Sequence, residues 1–144
     1  MNVVADASVL VAKLTRARGR ELAYDTRLQI LVTEDQWSEV QHEIKRRLRL
    51  MMDRGWLDAS QALLIQQDVQ TMVDNGVIEV VPRHIYDPFE VKARRRIPRD
   101  PNDWPTVALA LALNAGIRTA DHDFLGCGCP TWSFETLRSE LEHA

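Results

Sequence analysis

The stretch Asn2-Val3-Val4-Ala5-Asp6-Ala7-Ser8-Val9-Leu10-Val11-Ala12-Lys13-Leu14 decides the fold. It opens as a short β-branched run, and from Ala7 onward its apolar residues fall at helical spacing, so strand, turn and helix succeed one another. Asp6 then lies at the strand's C-terminal end. The same alternation recurs downstream. Residues 28–32 read as a strand, and Thr33-Glu34-Asp35 opens a helix to about Asp53 with a hydroxyl cap and early acids that suit its dipole. Within it Val40, Ile44, Leu48 and Met51 or Met52 trace a buried stripe, with Glu39 beside it. Gly55 ends that helix. Asp58 or Ser60 starts another, with Ala62, Leu63, Ile65, Val69 and Val73 as its apolar positions and Asn75-Gly76 as its stop. Val77-Ile78-Glu79-Val80-Val81, closed by Pro82, carries the strongest strand signal and is expected to be central in the sheet.

The remaining segments fit this order. Residues 16–27 are polar, contain Gly19 and allow a short helix. Residues 86–99 are first amphipathic and then basic, crowding Lys92, Arg94, Arg95, Arg96 and Arg99 in front of Asp100. Residues 104–114 are rich in alanine and leucine and read as a helix ended by Gly116. Ile117-Arg118-Thr119 makes a brief strand before Asp121, Pro130-Thr131-Trp132 a last one, and Ser133 with residues 136–141 a C-terminal helix. Strands alternating with helices predict a layered α/β domain with a mainly parallel sheet. No repeat, low-complexity stretch or linker interrupts it, so residues 1–144 read as one domain.

Composition narrows the function. A chain of 144 residues, 45% hydrophobic, can bury a core, and a formal net charge of -3 excludes coating nucleic acid by global positive charge. Any such contact must be local. Cys127 and Cys129 are separated by one residue, which would strain a disulfide and makes no secreted framework; a cytoplasmic protein is expected. No run approaches the ~18 apolar residues of a membrane span.

Chemistry is expected at Arg99-Asp100-Pro101-Asn102-Asp103-Trp104-Pro105, which sets two carboxylates before a helix, in the company of Asp6, Glu39 and Asp121. One acid can be an N-cap, and Asp103 can cap and coordinate together. Several acids gathered at one point repel unless a cation lies between them, and Mg²⁺ or Mn²⁺ takes such oxygen ligands. Parallel sheets bind ligands outside the C-terminal ends of their strands, where Asp6 and Asp121 fall. The basic run 92–99 suits phosphate contacts, with a solvated helix face as its alternative. Glu43 rivals Glu39 one turn on. His122, Cys127 and Cys129 lack the fourth donor of a zinc site. The four tryptophans read as core or interface.

Asp6-Ala7-Ser8 after the first strand, Glu39 in an early helix, Arg99-Asp100-Pro101-Asn102-Asp103 before an alanine-rich helix and Thr119-Ala120-Asp121-His122-Asp123-Phe124 near the end resemble the PIN-domain nucleases in order and spacing. The resemblance covers nearly the whole chain. It implies an α/β/α sandwich and a metal-dependent endoribonuclease of the VapC-like kind, the toxin of a toxin and antitoxin pair. Its metal ligands would be Asp6, Asp103 and Asp121, with Glu39 orienting the attacking water and Asp100 and Asp123 in support. Ser8 and Thr119 would supply hydroxyls near the first and last acids. With that reading, the basic residues Lys92, Arg94, Arg95, Arg96 and Arg99 next to Asp100 are expected to hold an RNA substrate, and a homodimer partnered by a cognate antitoxin is expected. The alternatives are a solitary RNA-processing nuclease and a catalytically silent RNA-binding or regulatory module of the same fold. A haloacid-dehalogenase-type phosphatase would need an aspartate where Ser8 stands, and a receiver domain a late lysine, whereas none follows Lys92.

Overall fold

The computed structural model describes residues 1–118, 127, 129 and 131–143. Its strands are β1 (Asn2–Ala5), β2 (Gln29–Thr33), β3 (Ile78–Val81), β4 (Gly116–Arg118) and β5 (Thr131–Trp132). They form one sheet in the order β3-β2-β1-β4-β5, and every neighbouring pair is parallel. Parallel pairs need crossovers that cover both faces. Here the connections and the chain's end supply α1 (Ala7–Leu14), α2 (Ala17–Ala23), α3 (Glu34–Asp53), α4 (Ala59–Asp74), α5 (Arg83–Tyr86), α6 (Glu90–Arg96), α7 (Trp104–Leu113) and α8 (Phe134–His143). Val4, Leu31 and Ile117 pack with α6 and α7, while their neighbours Ala5 and Val32 pack with α1, α3 and α4. Successive strand residues thus feed opposite layers of an α/β/α sandwich.

In α7, Trp104 through Ala110 are buried on every side. A helix apolar all round must be enclosed. One side packs on β1, β2 and β4 and the other lies under α5 and α6. Only Asn114 and Ala115 separate α7 from β4, so α7 runs antiparallel to the strands and starts at their C-terminal edge. α1 and α3 start at that edge too, directly after β1 and β2. Three helix N-termini therefore share the rim.

Three local expectations are corrected. The strand at 78–81 is an edge strand, because β1 takes the centre between β2 and β4. Its Glu79 is exposed and Val80 half-buried, the cover of a strand with one neighbour. In α4 the buried positions are Ala62, Val69 and Met72, whereas Leu63 is 54% exposed. Asp58 caps that helix, with the reciprocal Gln61 bond of a capping box. α7 stops at Asn114, whose φ of 50 is the left-handed geometry of a helix end; Gly116 belongs to β4. Between α1 and α2 the chain turns so tightly that a Cβ on Gly19 would run into the Lys13 carbonyl.

Candidate active site

Asp6 joins β1 to α1. Its N–H donates to the Arg118 carbonyl at the end of β4 (3.3 Å), which fixes the backbone on the rim. The side chain is 4% exposed, and its Oδ1 accepts from the Val9 N–H and the Ser8 hydroxyl, both at 2.9 Å. Asp6 is thus an N-cap whose carboxylate a hydroxyl orients. A carboxylate has two oxygens, so capping and coordination are compatible in it.

α3 is tied to the same point. The Thr33 hydroxyl oxygen, at the end of β2, accepts from the Gln36 N–H (3.0 Å), and Gln36 Oε1 accepts from the Ala7 N–H (2.6 Å). Gln36 is buried, and reasoning from the sequence missed it. Its only signal was its place three residues after a capping threonine and three before Glu39, hence on the helix side Glu39 shares. Glu39 is exposed and has no hydrogen bond or ion pair among the described residues. Glu43 is engaged: Arg46 Nη2 lies 3.0 Å from its Oε2, and that guanidinium bond holds the Glu43 carboxyl below its ordinary range.

The stretch 99–105 forms a 3₁₀ turn, Pro101–Asp103, leading into α7. Asp100 Oδ1 accepts from the Asn102 N–H (3.3 Å) and its carbonyl accepts from the Asp103 N–H (3.2 Å). Asp103 is half-buried and makes no side-chain capping bond, which corrects the expectation that it caps α7. Its φ and ψ of -83 and 7 are not the extended geometry of a capping residue, and Pro105 has no N–H to offer. One turn on, Thr106 Oγ1 is buried with no hydrogen-bond partner among the described residues, unusual for an interior hydroxyl.

Asp6 and Asp103 therefore stand at the starts of α1 and α7 on one rim, and Glu39 is the sixth residue of α3, which starts there too. Asp121, Asp123 and Thr119 lie outside the described residues. Among the described residues no three His, Cys, Asp or Glu side chains gather closely enough to hold an ion. The side chains at the rim offer carboxylate and hydroxyl oxygens, donors that fit a hard divalent cation.

The basic run divides. α6 packs on α7 and on the turn 101–103. Arg94 lies over the Trp104 ring at 5.4 Å and reaches Glu90 (3.7 Å), while Arg96 donates to the Cys127 carbonyl (3.0 Å). Lys92, Arg95 and Arg99 are exposed and pair with no described residue. Arg83 also lies over Trp104, at 5.4 Å, and Tyr86 donates to Asp35 (2.9 Å). Burial, with that bond second, pushes the Tyr86 phenol up to about 12. Trp37 and Trp104 are core, whereas Trp56 is 63% exposed beneath Arg54. Cys127 and Cys129 are free thiols; burial first and Cys127 second push Cys129 up to about 11.

No helix among the described residues is long and apolar enough to cross a membrane. Comparison with curated proteins gave no match. The family model for the PIN domain matches residues 4–142, from β1 through α8 and across the whole rim, and the chain belongs to the PIN-domain family.

Proposed function

We propose that this protein is a Mg²⁺- or Mn²⁺-dependent endoribonuclease acting at the rim where Asp6, Glu39 and Asp103 stand. PIN domains are in general nucleases, and in general use divalent metal ions. The observation that carries the reading is the bond between the Asp6 N–H and the Arg118 carbonyl. Asp121 follows Arg118 by three residues, a length of chain that spans at most about 11 Å. Covalent reach alone thus permits a third carboxylate beside Asp6. Asp6, Asp103 and Asp121 would hold the ion, with Asp100 and Asp123 behind them. When bound, it would supply a nucleophilic water at neutral pH and offset charge at the scissile phosphate.

The chain's own residues do the rest. Ser8 fixes the Asp6 carboxylate, and Glu39 accepts a proton from the attacking water and orients it. Lys92, Arg95 and Arg99 hold the RNA backbone through phosphate contacts that carry little sequence information. In the cell we assign the protein to a toxin and antitoxin pair, as a homodimer restrained by its antitoxin. The test is cleavage of single-stranded RNA by purified protein with Mg²⁺ or Mn²⁺, with chelator, and with Asp103→Asn. Cleavage that needs the ion and is lost in the variant supports the reading. Cleavage indifferent to chelator and to the substitution points to a contaminant and removes the support.

A further inference from the structure

Gln36 has a side chain whose two ends are held to different tasks. Its backbone is fixed by Thr33, itself fully buried at the end of β2, and its Oε1 is fixed by the Ala7 N–H at 2.6 Å. That second bond settles the amide's orientation, because a backbone N–H needs an acceptor and only the carbonyl end provides one. The NH₂ end is therefore not the one bonded to α1. It donates to no described residue, and the residue as a whole is 7% exposed. A glutamine this deeply buried thus keeps an unspent pair of N–H donors in a fixed place. The place where it does so is the rim, beside Asp6 and on the Glu39 side of α3.

Resting on the nuclease reading above, we propose that Gln36 Nε2 is a substrate contact, donating to a non-bridging phosphate oxygen of the RNA strand next to the acid site. The chemistry suits the position. A neutral amide N–H can donate to a charged phosphate oxygen beside these acids without adding to their negative charge. Both anchors of Gln36 are backbone-linked, through Thr33 to β2 and through Ala7 to α1. Its donor is therefore preorganised and needs little ordering when substrate arrives. Glu39 and Asp6 gain as well, since the same bond ties their helices together. Gln36 touches substrate in this account and is more than a brace between α1 and α3.

Two substitutions separate these roles. Gln36→Glu keeps an oxygen for the Ala7 N–H and loses the donor; Gln36→Met approximates the length and loses both. Binding of a single-stranded RNA oligonucleotide is measured in chelator at two salt concentrations, beside thermal stability and cleavage with Mn²⁺. Loss of one hydrogen bond to a charged oxygen should weaken RNA binding about tenfold in both variants, with only Gln36→Met losing stability. The loss in Gln36→Glu should persist at the higher salt. Weakening confined to Gln36→Met would make Gln36 a structural brace, and weakening confined to Gln36→Glu that vanishes with salt would make the effect one of added charge; either overturns the proposal. A wild-type protein that neither binds nor cuts RNA would instead overturn the nuclease reading, and this inference with it.

Discussion

Replacing Asp6 in two ways separates the part it plays in holding α1 from the part it plays in chemistry. Asp6→Asn keeps a carbonyl oxygen where Oδ1 now accepts from Val9 and Ser8, and asparagine is as good an N-cap as aspartate. It loses the charge facing the start of α1, about 0.3–1 kcal/mol. Asp6→Ala loses the cap, about 1 kcal/mol, while the exposed Ser8 hydroxyl turns to water at little cost. For a chain of this length each kcal/mol moves Tm by about 2–4 °C, so Asp6→Ala should melt about 2–4 °C early and Asp6→Asn closer to wild type. Manganese adds the second axis. At 100 times its dissociation constant it should stabilise wild type by about 2.7 kcal/mol, a rise of about 5–10 °C. Thermal denaturation of the three proteins with and without Mn²⁺ reads both effects. Asp6→Asn should fold normally, gain little from Mn²⁺ and lose RNA cleavage. A full Mn²⁺ shift in Asp6→Asn refutes the coordinating role, and an unchanged Tm in Asp6→Ala refutes the capping one.

The two glutamates of α3 should part company. Glu39→Gln should cut RNA cleavage by about 10²-fold or more, the scale of a lost general base, while Glu43→Gln, which breaks only a surface pair with Arg46, should leave turnover intact and move stability by under about 0.5 kcal/mol. Charge removal from the basic run should show the same division: the triple change of Lys92, Arg95 and Arg99 to Gln should lower RNA affinity and flatten its salt dependence by about two to three counterions without a change in Tm. Arg96→Gln should instead lower Tm through its Cys127 bond, and equal salt slopes for the two variants would return the run to a solvated face. Tyr86 gives an alkaline signature. Its phenol is raised to about 12 in the folded chain from an unfolded value near 10, so its contribution to stability is complete below pH 10 and is lost as pH rises toward 12. In denaturant titrations Tyr86→Phe should lack that loss, and parallel pH profiles for the two proteins would mean the phenol is not held up by burial and Asp35.

The sequence showed the architecture where pattern and packing agree. The stripe at Val40, Ile44 and Leu48 is buried, and the acid after the first strand sits at a strand end. What it hid depends on neighbours distant in sequence. The apolar run before Pro82 could not reveal that β1 takes the centre of the sheet, because strand order is set by crossovers and not by composition. Leu63 looks buried from spacing alone, yet the layer it would enter is already filled by Ala62, Val69 and Met72. At the rim, Asp6 and Asp103 were readable from their places before helices. The bond between Gln36 and Ala7 was not, since it joins residues 29 apart. Nor could a run of like charges disclose that Arg94 is spent on Trp104 and Arg96 on a carbonyl, while Lys92, Arg95 and Arg99 face outward.

The most direct trial of the carboxylate rim is crystallographic. Crystals soaked in Mn²⁺ should show one or two anomalous peaks within about 2.0–2.4 Å of carboxylate or water oxygens at Asp6, Asp103 and Asp121. Ordered crystals saturated with Mn²⁺ that carry no peak there, or carry it only at acids elsewhere on the surface, would mean that these aspartates do not form a metal centre.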